Sequence, residues 1–315
     1  MRVAGERGAG EARRADVARD PRRWPDLCLL GLLALLWGGS YPLIKIAVAE
    51  IPPLTLVAYR VSVAALVLGG VLAWRRAKLP KDAASWRALG VQAVLNSIGA
   101  WTVLAWGQRH VDSALAAVLN STAPIFVFLV GALGARAGAP PRSALLGALL
   151  GMSGVACIVG APAIVASPSY LAGALAVLLG AMLYAGAAIY GRRFAHQDAA
   201  VTATGTMVWA SAVVVPAALA FEQPWTLRPS MHACAAATVL ALACTGAALT
   251  IYFRLLKRLG PMATSSQAYL RAGVGALIGV TLLGERLSVV ASAGLVMTVA
   301  GVIVINAPRA PAGTR

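Results

Sequence analysis

The chain has 315 residues, of which 59% are hydrophobic and only 12% charged, about half the charged share of an average soluble domain. That excludes an ordinary water-soluble fold. A formal net charge of +16 at pH 7 would suggest nucleic acid in a soluble chain, but the basic residues are distributed as a membrane topology signal. The four cysteines, Cys28, Cys157, Cys234 and Cys244, form no CxxC pair or loop cluster, so neither a disulfide framework nor a metal site is indicated. No cofactor is implied.

In chain order, residues 1–26 read as a disordered cytoplasmic tail, rich in arginine with acids, Gly and Pro and little periodicity. A bilayer span needs about 20 mostly apolar residues. Such stretches follow at roughly 27–48, 54–74, 88–107, 113–134, 144–164, 170–190, 199–221, 233–253, 262–284 and 288–307. Residues 308–315 form a short C-terminal tail. The connections are brief, and the alternating ten-residue segments of a β-barrel are absent. The predicted fold is an all-α polytopic membrane protein with ten transmembrane helices.

Lysine and arginine concentrate on the cytoplasmic side of membranes. With ten spans, 21 of these residues fall on the side of the two termini and only Arg109, Arg228 and Arg286 on the other. A missed span would scramble that alternation, so both termini are expected in the cytoplasm. Lys45, Arg60 and Arg271 remain inside spans.

The two halves resemble each other at an offset of about 147 residues. "GALLGMSGVACIV" (147–159) lies against "GLVMTVAGVIVIN" (294–306), and "LLWGGSYPLIK" (35–45) against "MLYAGAAIYGR" (182–192). "GQRHVDSALAA" lies against "LLKRLGPMATS" at an offset nearer 148. Five spans per copy is an odd number, so the second copy is inverted. Inverted repeats are the sequence signature of secondary transporters, with the substrate near the midplane. The organisation expected is a first five-helix repeat over 27–164 and a second over 165–307.

"WGGSYPLIKIAVAEIPPLTLVAYR" (37–60) resembles the opening of EamA-type members of the drug/metabolite transporter superfamily. "SALAAVLNSTAPIF" (113–126) is similar to the family's fourth helix with its proline, here Pro124, and "LLGERLS" (282–288) to the Gly-Glu-Arg motif closing the ninth. The chain departs where Arg136-Ala137 replaces the first copy's Gly-Glu and Ala272 the second copy's proline. The resemblance implies ten helices, alternating access, and transport or export of amino acids and related small metabolites.

Arg271 stands at the centre of the ninth span. A central arginine opposes insertion by about 2.5–3.5 kcal/mol, and each Leu, Ile or Val favours it by only about 0.3–0.6. Such a residue normally faces the bundle interior or a wet cavity. Thr264, Gln267, Arg271 and Gly275 recur at helical spacing, with Gly275 leaving room beside the guanidinium. Two partners are open to Arg271: freed carbonyls or a carboxylate within the bundle, or an anionic group on a solute. All eleven acids lie in the tail, in connections or at span ends, which favours the solute, since a guanidinium holds a carboxylate bidentately.

Lys45 and Arg60 sit in the outer thirds of their helices. Lys45 can snorkel or pair with Glu50, and the match to family positions suggests a functional role for both Lys45 and Arg60. Trp37, Tyr41 and Lys45 share a face at fourfold spacing and are read as pocket wall or as packing. Asn96 and Asn120 are mid-membrane polar groups, with Asn120 one turn before Pro124, where a kink frees a carbonyl. Tyr184, Trp101 and Tyr269 are weaker candidates. The substrate set is therefore Arg271, Gln267, Asn120, Lys45, Tyr41, Trp37, Asn96 and Tyr184.

The leading reading is a secondary transporter, an exporter or exchanger, of amino acids or related small carboxylate-bearing metabolites, anchored at Arg271. No span holds Asp, Glu or His at its centre, which favours exchange or facilitated diffusion over carboxylate-based proton antiport. The rivals are an intramembrane serine protease, suggested by "GMSG" around Ser153 (151–154), and a structural scaffold. Ser153 would need a base within reach, yet His110, His196 and His232 all lie in connections. The partners expected are a small-molecule metabolite and the lipid bilayer, with a homodimer left open and nucleic acid excluded.

Overall fold

The computed structural model of the protein describes residues 23–133, 142–163, 167–194, 196–252, 254–255, 258, 267–285 and 288–306. Among these residues every regular element is a helix, as expected where no water is present to satisfy peptide groups. Seven segments are long and apolar enough to cross a bilayer: Pro25–Val48, Pro53–Trp74, Ala83–Gly107, Ser113–Val130, Pro168–Phe194, Ala199–Phe221 and Met231–Tyr252. They coincide with the first four and the sixth to eighth predicted spans. At the fifth, ninth and tenth positions lie α-helices Arg142–Ala163, Gln267–Leu282 and Val289–Asn306, whose apolar cores are shorter. The first helix begins at Arg23, not Leu27, so Asp26 belongs to it and pairs with Arg258 at 2.9 Å. Residues 1–22 and 308–315 lie outside the described residues.

In chain order the helices are α1 (Arg23–Gly38), α2 (Ser40–Val48), α3 (Pro53–Trp74), α4 (Ala83–Ala93), α5 (Ala100–Gly107), α6 (Ser113–Asn120) and α7 (Ala123–Leu133). There follow α8 (Arg142–Ala163), α9 (Pro168–Gly191), α10 (Ala199–Phe221), α11 (Met231–Ala241), α12 (Gln267–Leu282) and α13 (Val289–Asn306). Their starts follow from local chemistry. Asp82, Ser167, Asp198 and Ser230 accept from backbone N–H groups in the first turns of α4, α9, α10 and α11, and proline opens α3 and α9, where its missing N–H is not needed.

Several spans are interrupted near their middles. The first breaks at Gly39, between α1 and α2, and the fourth at Ser121–Thr122, between α6 and α7, just before Pro124. A proline cannot donate to the carbonyl four residues back, here that of Asn120. The third and eighth pass through π-helical turns at Val94–Gly99 and Leu242–Ala247. These two turns stand 148 residues apart, the separation that relates the two sequence copies. Such turns are frequent at functional sites.

Lipid tails are as apolar as leucine, so helices associate through close packing of small residues. α8 and α13 pack this way: a Cβ on Gly154 would meet the Gly294 carbonyl at 2.6 Å, and one on Gly301 the Gly147 carbonyl at 2.5 Å. α12 lies against α1 and α6. A Cβ on Gly38 would come within 2.9 Å of the Arg271 carbonyl, and one on Gly275 within 2.7 Å of Ala117 Cβ. The predicted free space beside Gly275 is therefore filled, by Ala117, Tyr41 and Gly38. Large aliphatic side chains such as Leu66, Leu146 and Val296 point outward, as a lipid-facing surface requires.

Candidate functional site

The broken spans converge on a polar cluster. α1 contributes Trp37, α2 Tyr41, α3 Arg60, α5 Trp101, α6 Asn120, α9 Tyr184, the second π-turn Cys244 and Thr245, and α12 Arg271. Arg60 is only 7% exposed. Its guanidinium lies 3.8 Å from the centroid of a Trp101 ring, a short cation–π distance, and its Nε donates to Thr245 Oγ1 at 2.6 Å. Thr245 Oγ1 in turn donates to the Leu240 carbonyl at 2.9 Å, so the π-turn fixes the hydroxyl that holds Arg60.

Arg271 is half-buried, with its guanidinium 6.0 Å from the Trp37 ring centroid, at the outer limit of such contacts. Trp37 is held by an Nε1–H donated to the Cys244 carbonyl at 3.1 Å and packs on Tyr252. Tyr184 interacts electrostatically with both Arg60 and Arg271, and with Tyr41. Tyr41 and Asn120 are buried together, Asn120 Nδ2 donating to the Tyr41 hydroxyl at 2.7 Å. Asn120 Oδ1 is buried and has no partner.

Neither guanidinium has a carboxylate partner among the described residues. Among the described residues the acids are Asp26, Glu50, Asp82, Asp112, Asp198, Glu222 and Glu285, all near helix ends, and the one ion pair is Asp26–Arg258. No group of side chains suited to a metal ion occurs among them.

The remaining sequence candidates are placed differently. Lys45 Nζ donates to the carbonyls of Gln108 at 3.0 Å and Val111 at 2.7 Å, past the C-terminus of α5, where a cation complements the helix dipole. It bonds neither Glu50 nor a member of the cluster. Asn96 Nδ2 donates to Ser97 Oγ at 3.0 Å within the first π-turn. The side chains of Gln267, Tyr269 and Pro124 lie outside the described residues, as does Thr264. Ser153 is exposed on the outside of α8, and the histidines stand at helix ends, where His110 stacks on Trp106.

Three carboxylates outside the cluster bind the N-termini of other helices. Glu285 Oε1 accepts from Ser113 N and Oγ, and Oε2 from Ala114 N, all at 2.8 Å. Asp112, the residue preceding α6, makes no side-chain cap itself. Gly284, with φ +66°, reverses the chain after α12 and swings Glu285 back onto α6; glycine adopts this conformation without penalty. Glu222 accepts from Leu54 N at 3.0 Å and Thr55 N at 2.6 Å at the start of α3, and Glu50 from Ser230 N at 2.6 Å before α11. Each bond joins the first half of the chain to the second.

Sequence reasoning singled out Arg60 by its family position without placing it in the substrate set, and left out Thr245 and the Glu285 cap. Arg60 was one of only three bases inside spans, and Glu285 belongs to the Gly-Glu-Arg run, so both carried a signal. The π-turn presenting Thr245 carried none.

The EamA-like transporter family model matches residues 24–160 and again 171–307. The chain is 27% identical over 275 residues to the "Uncharacterized inner membrane transporter YedA" of Escherichia coli K12, covering 87% of this chain and 88% of that one. It is 26% identical over 290 residues to an "Uncharacterized transporter" of Archaeoglobus fulgidus, covering 89% and 97%. A crystal structure 19% identical in sequence superposes with a TM-score of 0.63 over 90% of this chain and 98% of its own, a likeness of fold.

Proposed function

Because this chain belongs to the EamA-like transporter family, we propose that it is a secondary transporter of small carboxylate-bearing metabolites, amino acids or related acids, working by alternating access with Arg271 as an anion anchor. The observation that carries the reading is a half-buried guanidinium on a membrane helix, beside Trp37 and within electrostatic reach of Tyr184, with no carboxylate opposite it among the described residues. Inside a membrane such a cation marks a substrate or ion pathway, and a carboxylate on the solute offsets its desolvation through charge-assisted hydrogen bonds. Interrupted helices around it agree with transporter sites, where unwound backbone faces the substrate.

The basic-residue asymmetry supports cytoplasmic termini, which puts Glu50, Glu222 and Glu285 at the extracytoplasmic end. The lack of a central carboxylate or histidine among the described residues favours exchange or facilitated diffusion over carboxylate-based proton antiport. The exposed setting of Ser153 gives the protease alternative no site.

Counterflow in proteoliposomes tests the anchor. Vesicles loaded with a pooled amino-acid and organic-acid mixture are read by mass spectrometry for wild type and Arg271→Gln. The wild type should exchange at least one carboxylate solute, and the variant should lose that exchange on the order of 30-fold or more, since breaking a buried charge pair costs about 2–5 kcal/mol. Equal exchange by both proteins would refute the anchor.

A further inference from the structure

Arg60 raises a separate question. A guanidinium carries five N–H donors and cannot give up its charge, yet the side chain is 7% exposed and lies about two turns into a span. Among the described residues its one hydrogen bond is Nε to Thr245. The ring of Trp101 covers one face, and no acceptor for the terminal N–H groups occurs among the described residues. The side chains near it include Tyr184, Cys244 and Tyr41, none of which is a carboxylate. Buried polar groups are nearly always bonded, and buried charges are paired. This one is stacked on Trp101 and oriented by Thr245.

We infer that Arg60 is a second anion-binding residue of the same polar cluster, so that the preferred solute carries two separated negative charges, a small dicarboxylate, with one carboxylate on Arg60 and the other on Arg271. The inference rests on the Arg271 reading given above and narrows it. The two cations belong to different helices, α3 and α12, and lie on different rings, Trp101 and Trp37. The second π-turn links their surroundings: Arg60 donates to Thr245 Oγ1, and Trp37, whose ring centroid lies 6.0 Å from the Arg271 guanidinium, donates to the adjacent Cys244 carbonyl. A monoanion leaves one buried cation uncompensated, whereas a zwitterion adds an ammonium group to a site already holding two positive charges. Tyr41, Asn120 and Thr245 supply neutral partners and no countercharge.

Succinate and its monoamide, succinamate, match in size and differ by one negative charge. In proteoliposome counterflow the wild type should prefer succinate. Arg60→Gln should lower the succinate-to-succinamate ratio by about ten-fold, and Arg60→Lys, which restores a charge without the planar fork, should recover part of it. A measurement on the wild type alone covers the case in which Arg60 variants fail to fold: succinate exchange should fall, relative to succinamate, as pH drops from about 7 to about 4 and its second carboxyl protonates. Equal exchange of the two solutes at pH 7, or an unchanged ratio in well-folded Arg60→Gln, would overturn the second site and leave the Arg271 anchor standing. Exchange of neither solute, nor of any other carboxylate, would overturn both. Inhibition by inorganic phosphate equal to that by succinate would refute the two-point geometry.

Discussion

Tyr41 and Asn120, 2% and 1% exposed, depend on each other. The Asn120 amide donates to the Tyr41 hydroxyl, and Tyr41 has no other side-chain bond among the described residues. Tyr41→Phe would leave a buried donor unsatisfied and should cost about 1–3 kcal/mol. Adding Asn120→Leu should recover much of that loss, because the pair then becomes apolar on both sides. A double-mutant cycle of unfolding in detergent reads the coupling, and additive losses would show that the hydrogen bond contributes nothing. Both residues were legible as candidates, since polar groups stand out in an apolar run. Their mutual bond was not, because they lie 79 residues apart. Lys45 marks the limit of the same signal: its position suggested a substrate contact or Glu50, but its reach ends on the carbonyls of Gln108 and Val111, which no side-chain pattern advertises.

At the scale of elements, α12 carries Arg271 and is held by backbone contact at glycines. Gly38 touches Val274 and the Arg271 carbonyl, so Gly38→Val should push α12 away from α1 and carry Arg271 with it. Carboxylate exchange should fall at least about ten-fold, since small displacements of a positioned group weaken it sharply, while the protein still elutes as a folded species in detergent. Undiminished exchange would mean that the α1–α12 contact does not set the position of the arginine. The spans were readable from apolar length, and the break near Pro124 from the proline. The π-turns at Val94–Gly99 and Leu242–Ala247 were not, because one inserted residue in a helical turn leaves hydrophobicity unchanged. Their 148-residue spacing becomes meaningful only beside the repeat.

On the scale of the whole molecule, Glu50, Glu222 and Glu285 tie the two halves together at one end of the bundle through helix N-termini, where carboxylates are favoured. Alternating access at that end requires some of these bonds to break. The Ser230 hydroxyl and N–H hold the Glu50 carboxyl below its ordinary value. A depressed carboxylate contributes stability that is present above its unfolded pKa and is lost as pH falls through the folded one. The difference in melting temperature between wild type and Glu50→Gln should therefore exist at neutral pH and vanish below about pH 4. A difference that persists in acid would assign the effect to something other than the carboxylate.

If Arg60 and Arg271 together select negative charge, a series of solutes that vary in charge on one carbon skeleton should reveal it. Wild-type vesicles would be assayed by counterflow with succinate, its uncharged diamide and the dication putrescine. Exchange of succinate alone is the predicted result. Exchange of the diamide or putrescine without succinate would contradict the account, because the guanidiniums of Arg60 and Arg271 could not then be facing the solute.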